Sequence, residues 1–173
     1  MSKAMIDAAL EKATDTKACV ISEGALESVS KLFREYFEGA SVILICDPRT
    51  LLAAGEKVEA LFKADGVEVS KFILEPSGKT FHADYFYVDQ VRDAIAAAAK
   101  NGVYPVPVSV GSGVINDLTK RAAGELNLAY MSVATAASVD GYSSFGAALR
   151  SPEGAKQTYA CPAPRVIVAD LDV

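Results

Sequence analysis

The sequence predicts a doubly wound α/β domain built around a mainly parallel sheet. Segments typical of strands alternate at least four times with segments typical of helices, and the connections between them are short. The run Val42–Cys46 is continuously apolar, which is typical of a parallel strand buried on both faces. A length of 173 residues, of which 51% are apolar or aromatic, fits one folded domain with a sizeable core.

In the first half of the chain, helices are predicted from apolar side chains at i, i+3 and i+4 spacing, and strands from short β-branched runs. Glycine and proline mark the boundaries: Pro48 suits the first turn of a helix, and Gly66 follows its last residues. The predicted elements are, in order, a helix at 2–13, a strand at 19–21, a helix at 26–37, a strand at 41–46, a helix at 48–65, a strand at 67–74 and a turn at 76–78.

The second half continues the alternation and then departs from it. Proline lacks the N–H that a strand ladder needs, so Pro105 and Pro107 restrict the reliable part of one strand to Val106–Val110. Beyond Asp140 two strand-like pieces flank Arg150–Gly154, which indicates a β-hairpin near the C-terminal end. The predicted elements are a helix at 84–100, a strand at 106–110, a loop and helix at 111–126, a strand at 129–134, hairpin strands at 144–149 and 157–161, and a strand at 165–169.

Composition excludes several classes of protein. The 17 basic and 22 acidic residues give a net charge of −5 without a basic run, which argues against nucleic acid as a partner. Three cysteines without C-x-x-C spacing and the single His82 argue against a structural zinc site or a disulfide scaffold and favour a reducing compartment. No apolar run approaches the roughly 20 residues that span a bilayer, so we expect a cytoplasmic protein without membrane contact.

A glycine loop between a strand and a helix is the most informative local motif. Gly111-Ser112-Gly113 allows close backbone approach, and the free N–H groups of the following helical turn favour an anion such as a diphosphate. Asn116 replaces the third glycine of the Rossmann fingerprint, and no glycine directly precedes Lys120 as in a Walker A loop. The alternative is that the glycines only form the turn and that Asn116 or Asp117 caps the helix.

An acid lies at the end of the first strongly apolar strand. In open α/β sheets, an acid in the position of Asp47 commonly accepts hydrogen bonds from ribose hydroxyls. The alternative is a helix N-cap ahead of Pro48, because aspartate is among the best capping residues. Asp47 precedes the glycine loop, whereas the Rossmann fingerprint expects its acid about 20 residues after it, so a different dinucleotide-binding topology is indicated.

The loop Thr135–Ser144 follows a strand and gathers hydroxyl groups around one acid. Its small residues permit close approach by a flat ring, and Asp140 can accept hydrogen bonds from a polyol. A polar turn with side-chain-to-backbone hydrogen bonds is the alternative. His82 is interpreted as a loop or capping histidine, and the three cysteines as small buried hydrophobes.

Two of these segments, Gly111–Lys120 and Thr135–Ser144, together resemble the iron-containing alcohol dehydrogenase superfamily. The resemblance is closest to its glycerol-1-phosphate dehydrogenase branch and extends from Ile21 to Asp170. It implies a Rossmann-like fold similar to the N-terminal domain of dehydroquinate synthase. Ser112 departs from the superfamily's more common Gly-Gly-Gly, a change that this branch tolerates.

The resemblance also implies roles for individual residues. Asp47 would contact the adenosine ribose of NAD or NADP, and Asp140 would contact the substrate polyol. No catalytic residue and no metal ligand is assigned to this chain. The diphosphate would be held by Gly111, Ser112, Gly113, Val114 and Ile115, and the rest of the dinucleotide would be lined by Thr135, Ala136, Ala137, Ser138 and Ser144.

The resemblance further implies that residues 1–173 form the N-terminal dinucleotide-binding domain of a longer enzyme. A helical C-terminal domain, absent from this chain, would carry a divalent zinc, nickel or iron ion. Asp170 and Asp172 are not interpreted as its ligands. The expected reaction of the full-length enzyme is hydride transfer between NAD(P)H and dihydroxyacetone phosphate, a small polyol phosphate, and the chain alone is expected to be inactive.

Several alternatives stay open at this point. The substrate could instead be glycerol or another polyol, or the chain could be a stand-alone nucleotide-binding module without catalysis. A phosphotransferase is disfavoured by the missing Walker context and the lack of a convincing carboxylate set for Mg²⁺. Asp47 favours NAD by repelling a 2′-phosphate, but Arg49 could accommodate one. The oligomeric state of the full-length form, including a homo-oligomer, is also open.

Overall fold

A computed structural model describes residues 3–39, 41–76, 81–137 and 141–173. It contains a six-stranded sheet, in which every strand pair is parallel, and a separate antiparallel hairpin, as predicted. The strands are β1 (Ala18–Ser22), β2 (Ser41–Cys46), β3 (Glu68–Ile73), β4 (Val106–Gly111), β5 (Met131–Ala134), β6 (Ala147–Arg150), β7 (Lys156–Tyr159) and β8 (Val166–Asp170).

Helices connect and cover these strands. A 3₁₀ turn at Ala25–Ser28 leads into the second helix, and a π-helical segment at Leu51–Gly55 interrupts the helix predicted over residues 48–65. The α-helices are α1 (Lys3–Leu10), α2 (Val29–Tyr36), α3 (Pro48–Thr50), α4 (Glu56–Ala64), α5 (Tyr85–Ala97) and α6 (Gly113–Glu125). None of the helices in the described part of the chain is both long and apolar enough to cross a bilayer.

The strand order is β1-β8-β5-β4-β2-β3, which places a reversal of direction between β2 and β4. From β2 the chain runs outward to the edge strand β3, then returns to β4 on the other side of β2 and continues to β5. In open α/β sheets, ligands bind outside the carboxyl ends of the strands at such a switch point. The topology therefore predicts a ligand site in the crevice after β2 and β4.

Strand β2 has a buried residue at every position from Val42 to Cys46, as predicted for a strand covered on both faces. Successive side chains point to opposite faces, so Val42 and Leu44 pack in the core beneath α2 and α4, whereas Ile43 and Ile45 pack beneath α5 and α6. Burial on both faces makes β2 a rigid base for the loop that follows it.

The last predicted strand turned out to occupy an interior position. β8 lies between β1 and β5, and its apolar residues Val166, Ile167 and Val168 are buried. Pro107 fits within β4 because the pairing of β4 with β5 begins only at Val108. The turn predicted at 76–78 extends into Ser77 and Gly78, which lie outside the described residues.

Candidate functional site

The candidate site lies at the carboxyl end of the sheet, where β2, β4 and β5 end side by side. The register pairs Ile45 of β2 with Ser109 of β4, and Gly111 of β4 with Ala134 of β5. Asp47 follows β2 directly and Thr135 follows β5 directly. The structure thus brings three of the predicted site segments to one edge of the sheet, at the switch point.

Asp47 caps the helix that begins at Pro48. Its Oδ1 accepts hydrogen bonds from the backbone N–H groups of Arg49 at 2.8 Å and of Thr50 at 2.9 Å. In return, the Thr50 hydroxyl accepts from the N–H of Asp47 at 3.0 Å, which completes a capping box. Oδ2 accepts no hydrogen bond from any described residue, so the cap and the predicted ribose contact are compatible.

The first turn of α6 is open toward the switch point. Ser112 is its N-cap residue, but the serine side chain makes no capping hydrogen bond. The N–H of Asn116 donates to the carbonyl of Ser112 at 3.0 Å, whereas the N–H groups of Gly113, Val114 and Ile115 have no acceptor among the described residues. These free donors, together with the positive end of the helix dipole, suit an anionic group.

The alternative in which Asn116 or Asp117 caps α6 is wrong. Asn116 is buried inside the domain, and its Oδ1 accepts a hydrogen bond from the Tyr130 hydroxyl at 3.0 Å. Asp117 lies 3.8 Å from the ammonium group of Lys120, and its burial raises the pKa of its carboxyl group. Both side chains therefore belong to the packed side of the helix, one turn past its start.

Gly111 is required by close packing between β4 and α6. A Cβ atom at this position would lie 2.6 Å from Cβ and Cγ1 of Ile115, closer than real side-chain contacts allow. The carbonyl of Gly111 accepts hydrogen bonds from the N–H of Thr135 and from the Tyr142 hydroxyl, each at 3.1 Å. The absence of a side chain thus lets the loop backbone approach the helix terminus, as a phosphate-binding turn needs.

Tyr142 joins two loops of the site and was missed by the sequence analysis. Its hydroxyl lies 3.1 Å from the carbonyl of Gly111 and 3.1 Å from that of Ala136, so it bridges the segments after β4 and β5. Burial raises the pKa of this hydroxyl, which keeps it protonated as a donor. Its place in a polar loop carried no signal for this role, because both acceptors belong to the backbone.

Lys120 belongs to the sequence motif Gly111–Lys120, but the sequence assigns it no role. Its side chain is completely buried. The ammonium nitrogen lies 3.1 Å from the carbonyl of Gly141, 2.8 Å from that of Ser144 and 3.2 Å from that of Gly146. Burial lowers the pKa of this ammonium group, an effect that the nearby Asp117 opposes. Three carbonyls match the three donors of an ammonium group, so Lys120 holds the loop 141–146 in place.

Of the remaining predicted site residues, four lie in described loops and two lie outside the described residues. Thr135, Ala136 and Ala137 lie in the loop after β5, and the Ser144 hydroxyl donates to the carbonyl of Gly141 at 2.9 Å. Ser138 and Asp140 lie outside the described residues, so their predicted contacts stay predictions.

The cysteines fit their interpretation as small hydrophobes. Cys46 and Cys161 are buried, Cys19 is half-buried, and all three are free thiols. Burial raises the pKa of each thiol, that of Cys46 to about 11, which disfavours a reactive thiolate.

A cavity of about 340 Å³ adjoins the start of α6. Val114, in the first turn of the helix, forms part of its wall, and the hairpin β6–β7 forms another part. His82, which was interpreted as a loop or capping residue, also faces this cavity. The lining residues are His82, Ala83, Val114, Ala148, Leu149, Arg150, Lys156, Gln157 and Thr158.

A metal site does not fit the described residues. No group of three or more histidine, cysteine, aspartate or glutamate side chains within the described ranges could hold a metal ion. Asp170 is instead used structurally: its carboxylate accepts hydrogen bonds from the N–H groups of Gly24 at 3.0 Å and of Leu26 at 2.9 Å.

Comparison with known proteins identifies related chains. Residues 20–173 match the family model described as iron-containing alcohol dehydrogenase. A glycerol-1-phosphate dehydrogenase (NAD(P)+) of Halalkalibacterium halodurans is 36% identical over 132 residues, which is 76% of this chain and 32% of that protein. The enzyme of the same name from Methanothermobacter thermautotrophicus is 30% identical over 151 residues, which is 87% of this chain and 40% of that protein.

The fold is also found among solved structures. The crystal structure of glycerol dehydrogenase from Schizosaccharomyces pombe superposes with a TM-score of 0.75 at 21% identity, covering 92% of this chain and 38% of that one. At this identity the likeness concerns the fold alone. The chain spans between 32% and 40% of the two curated relatives described above.

Proposed function

Because this chain belongs to the iron-containing alcohol dehydrogenase family, we propose that it is the dinucleotide-binding domain of an NAD(P)-dependent glycerol-1-phosphate dehydrogenase. The family match and relatives named as glycerol-1-phosphate dehydrogenases support this proposal. The single structural observation that carries it is the open first turn of α6 beside the close-packed Gly111, at the switch point of the sheet. A diphosphate needs backbone N–H donors that have no other partner and a neighbouring residue without a side chain that would block them.

Different residues of the chain would bind different parts of the dinucleotide and the substrate. Gly111 to Ile115 would hold the diphosphate through their backbone, and the free Oδ2 of Asp47 would accept from the adenosine ribose. Thr135 to Ser138 and Ser144 would line the rest of the dinucleotide, and Asp140 would contact the polyol. Tyr142 and Lys120 would act one step away, by fixing the backbone of these loops.

Asp47 supports NAD over NADP. A ribose 2′-hydroxyl can donate to the free carboxylate oxygen, whereas a 2′-phosphate would be repelled by it. Arg49 is the nearest residue in sequence whose guanidinium group could offset this repulsion; the cap uses only its backbone N–H.

When bound, a nicotinamide dinucleotide supplies the hydride that reduces a ketone to a secondary alcohol, together with one proton taken up from the surroundings. We propose that the metal of this family is held by a helical domain outside residues 1–173; in support, the chain spans only 32% and 40% of the two curated relatives. The role of this chain would be to bind and orient the dinucleotide. Cytoplasmic location and homo-oligomer formation stay predictions.

Isothermal titration of the 173-residue chain with NADH and with ATP tests the proposal. We expect NADH to bind more tightly than ATP, and Gly111→Ala to weaken NADH binding because the new Cβ pushes against Ile115. Gly55→Ala is the matched control, since its Cβ would meet chiefly the flexible end of the Leu51 side chain. Preferential ATP binding, or NADH binding that Gly111→Ala leaves unchanged, contradicts the proposal.

A further inference from the structure

The cavity beside α6 is lined by basic residues, although the protein as a whole is acidic. The chain carries a net charge of −5. Yet the cavity wall contains two cations, Arg150 and Lys156, and no described residue of the wall is acidic. A locally positive cavity in an acidic protein concentrates anions at that place.

The two cations of the wall face each other in the hairpin. Arg150 of β6 and Lys156 of β7 are directly paired in the antiparallel register. Like charges at opposed positions destabilise a strand pair, unless a group of opposite charge lies between them. An anion in the cavity would supply that charge.

The neighbouring carboxylates neutralise only part of the positive charge of Arg150 and Lys156. Nε of Arg150 lies 3.6 Å from a carboxylate oxygen of Asp84, at the start of α5. Lys156 is exposed and makes no ion pair with any described residue. Glu153, in the hairpin turn, has its carboxylate hydrogen-bonded to Ser151 and to its own backbone, which lowers its pKa. The guanidinium fork and the ammonium group thus remain available to an oxygen-rich ligand.

We propose that this cavity binds the phosphate group of the substrate, a phosphate monoester dianion. The inference rests on the proposed function, because it uses the position of the dinucleotide. Val114 lies in the turn assigned to the diphosphate and also lines the cavity, so a dinucleotide held there would run past the cavity mouth. Neither Asp47, assigned to the adenosine end, nor Thr135–Ala137 and Ser144, assigned to the rest of the dinucleotide, lines it. The cavity therefore adjoins the diphosphate turn without using the residues assigned to either end of the dinucleotide, which leaves its cations to a second anionic ligand.

The size of the cavity agrees with this assignment. Small-molecule sites typically have volumes of about 300 Å³ or more, and about 340 Å³ is available here. The wall also carries Thr158, whose hydroxyl suits the hydroxyl groups of a short polyol, and Gln157, whose amide nitrogen already donates to the Tyr159 hydroxyl. Recognition of phosphate by this hairpin would distinguish a polyol phosphate from a free polyol.

The test uses the NADH-saturated 173-residue chain, titrated with glycerol 1-phosphate and with glycerol and followed by NMR chemical shifts. We expect glycerol 1-phosphate to bind more tightly than glycerol. Lys156→Gln and Arg150→Gln should each weaken glycerol 1-phosphate binding by about 3- to 10-fold. Both should leave glycerol binding and the Kd for NADH unchanged. Lys31→Gln is the matched control, because Lys31 is an exposed lysine on α2 and does not line the cavity.

The outcomes separate this inference from the proposed function. If NADH binds but Lys156→Gln and Arg150→Gln leave glycerol 1-phosphate binding unchanged, the phosphate site is wrong while the dinucleotide domain stands. If the same variants weaken NADH as much as glycerol 1-phosphate, the cavity serves the diphosphate of the dinucleotide and the inference is also wrong. Failure of the wild-type chain to bind NADH contradicts the proposed function itself and, with it, the inference.

Discussion

The ammonium group of Lys120, on the buried side of α6, donates a hydrogen bond to the backbone carbonyl of Ser144 at 2.8 Å. The lysine comes from the helix that follows the glycine loop, and the serine from a loop 24 residues later. One side chain thus connects the segment assigned to the diphosphate with the segment assigned to the rest of the dinucleotide. We interpret Lys120 as a positioning residue for the site.

Lys120→Met tests this positioning role. Methionine keeps most of the buried volume but leaves three carbonyls of the loop 141–146 without their donor, which costs about 1 to 3 kcal/mol of the free energy of unfolding. We expect faster amide hydrogen exchange in this loop and weaker NADH binding. Lys31→Met, on an exposed surface, should change neither. Unchanged exchange in 141–146 would show that the loop holds its shape without the lysine.

Tyr142→Phe removes only the hydroxyl group of Tyr142 and so tests its contribution. Without it, the carbonyls of Gly111 and Ala136 lose a shared donor, and the free energy of unfolding should fall by about 1 kcal/mol. We expect weaker NADH binding as well, because the backbone of Gly111 is less well held. The matched control is Tyr104→Phe, since Tyr104 is 40% exposed and makes no hydrogen bond to a described residue. Equal effects of the two variants on NADH affinity would argue against a specific role for Tyr142.

Two substitutions separate the capping role of Asp47 from its predicted contact with the ribose. Asp47→Ser retains a good capping side chain but removes the carboxylate, so stability should change little while NADH binding weakens and the preference over NADPH decreases. Asp47→Ala removes the cap as well and should lower the free energy of unfolding by about 1 kcal/mol. Urea unfolding and titration with both dinucleotides measure these effects. If Asp47→Ser leaves the relative affinities unchanged, Asp47 is only a cap.

Because the thiol of Cys46 is buried, we expect the free energy of unfolding to fall at alkaline pH. Burial, with a smaller contribution from the charge of Asp47, raises the pKa of the thiol from 9.0 to about 11. Below pH 9 both states keep the proton and the full contribution to stability is present. Between about pH 9 and 11 the unfolded chain loses the proton first, so stability falls as pH rises, by about 3 kcal/mol in total.

Comparing wild type with Cys46→Ala by urea unfolding from pH 7 to 11 measures this contribution. The two curves should run parallel up to about pH 8, offset by the lost packing of the sulfur. Above pH 9 the wild type should lose stability more steeply than Cys46→Ala. Equal slopes above pH 9 would show that the thiol does not ionise differently in the two states.

The sequence by itself determined the class of the fold and the position of its main motifs. The run Val42–Cys46 predicted a strand buried on both faces, and the helix following Gly113 was placed correctly, because both signals depend only on local periodicity and on glycine. The hairpin of β6 and β7 was predicted for the same reason, since a turn of proline and glycine separates its strands.

Only the tertiary structure decided which segments meet. It placed β8 between β1 and β5, turned Asn116 inward against Tyr130, and brought Lys120 and Tyr142 to backbone carbonyls far along the chain. It also showed that Asp47 caps a helix with one oxygen and leaves the other free. Such contacts depend on long-range packing and on backbone acceptors, which every residue carries, so residue identity alone does not reveal them.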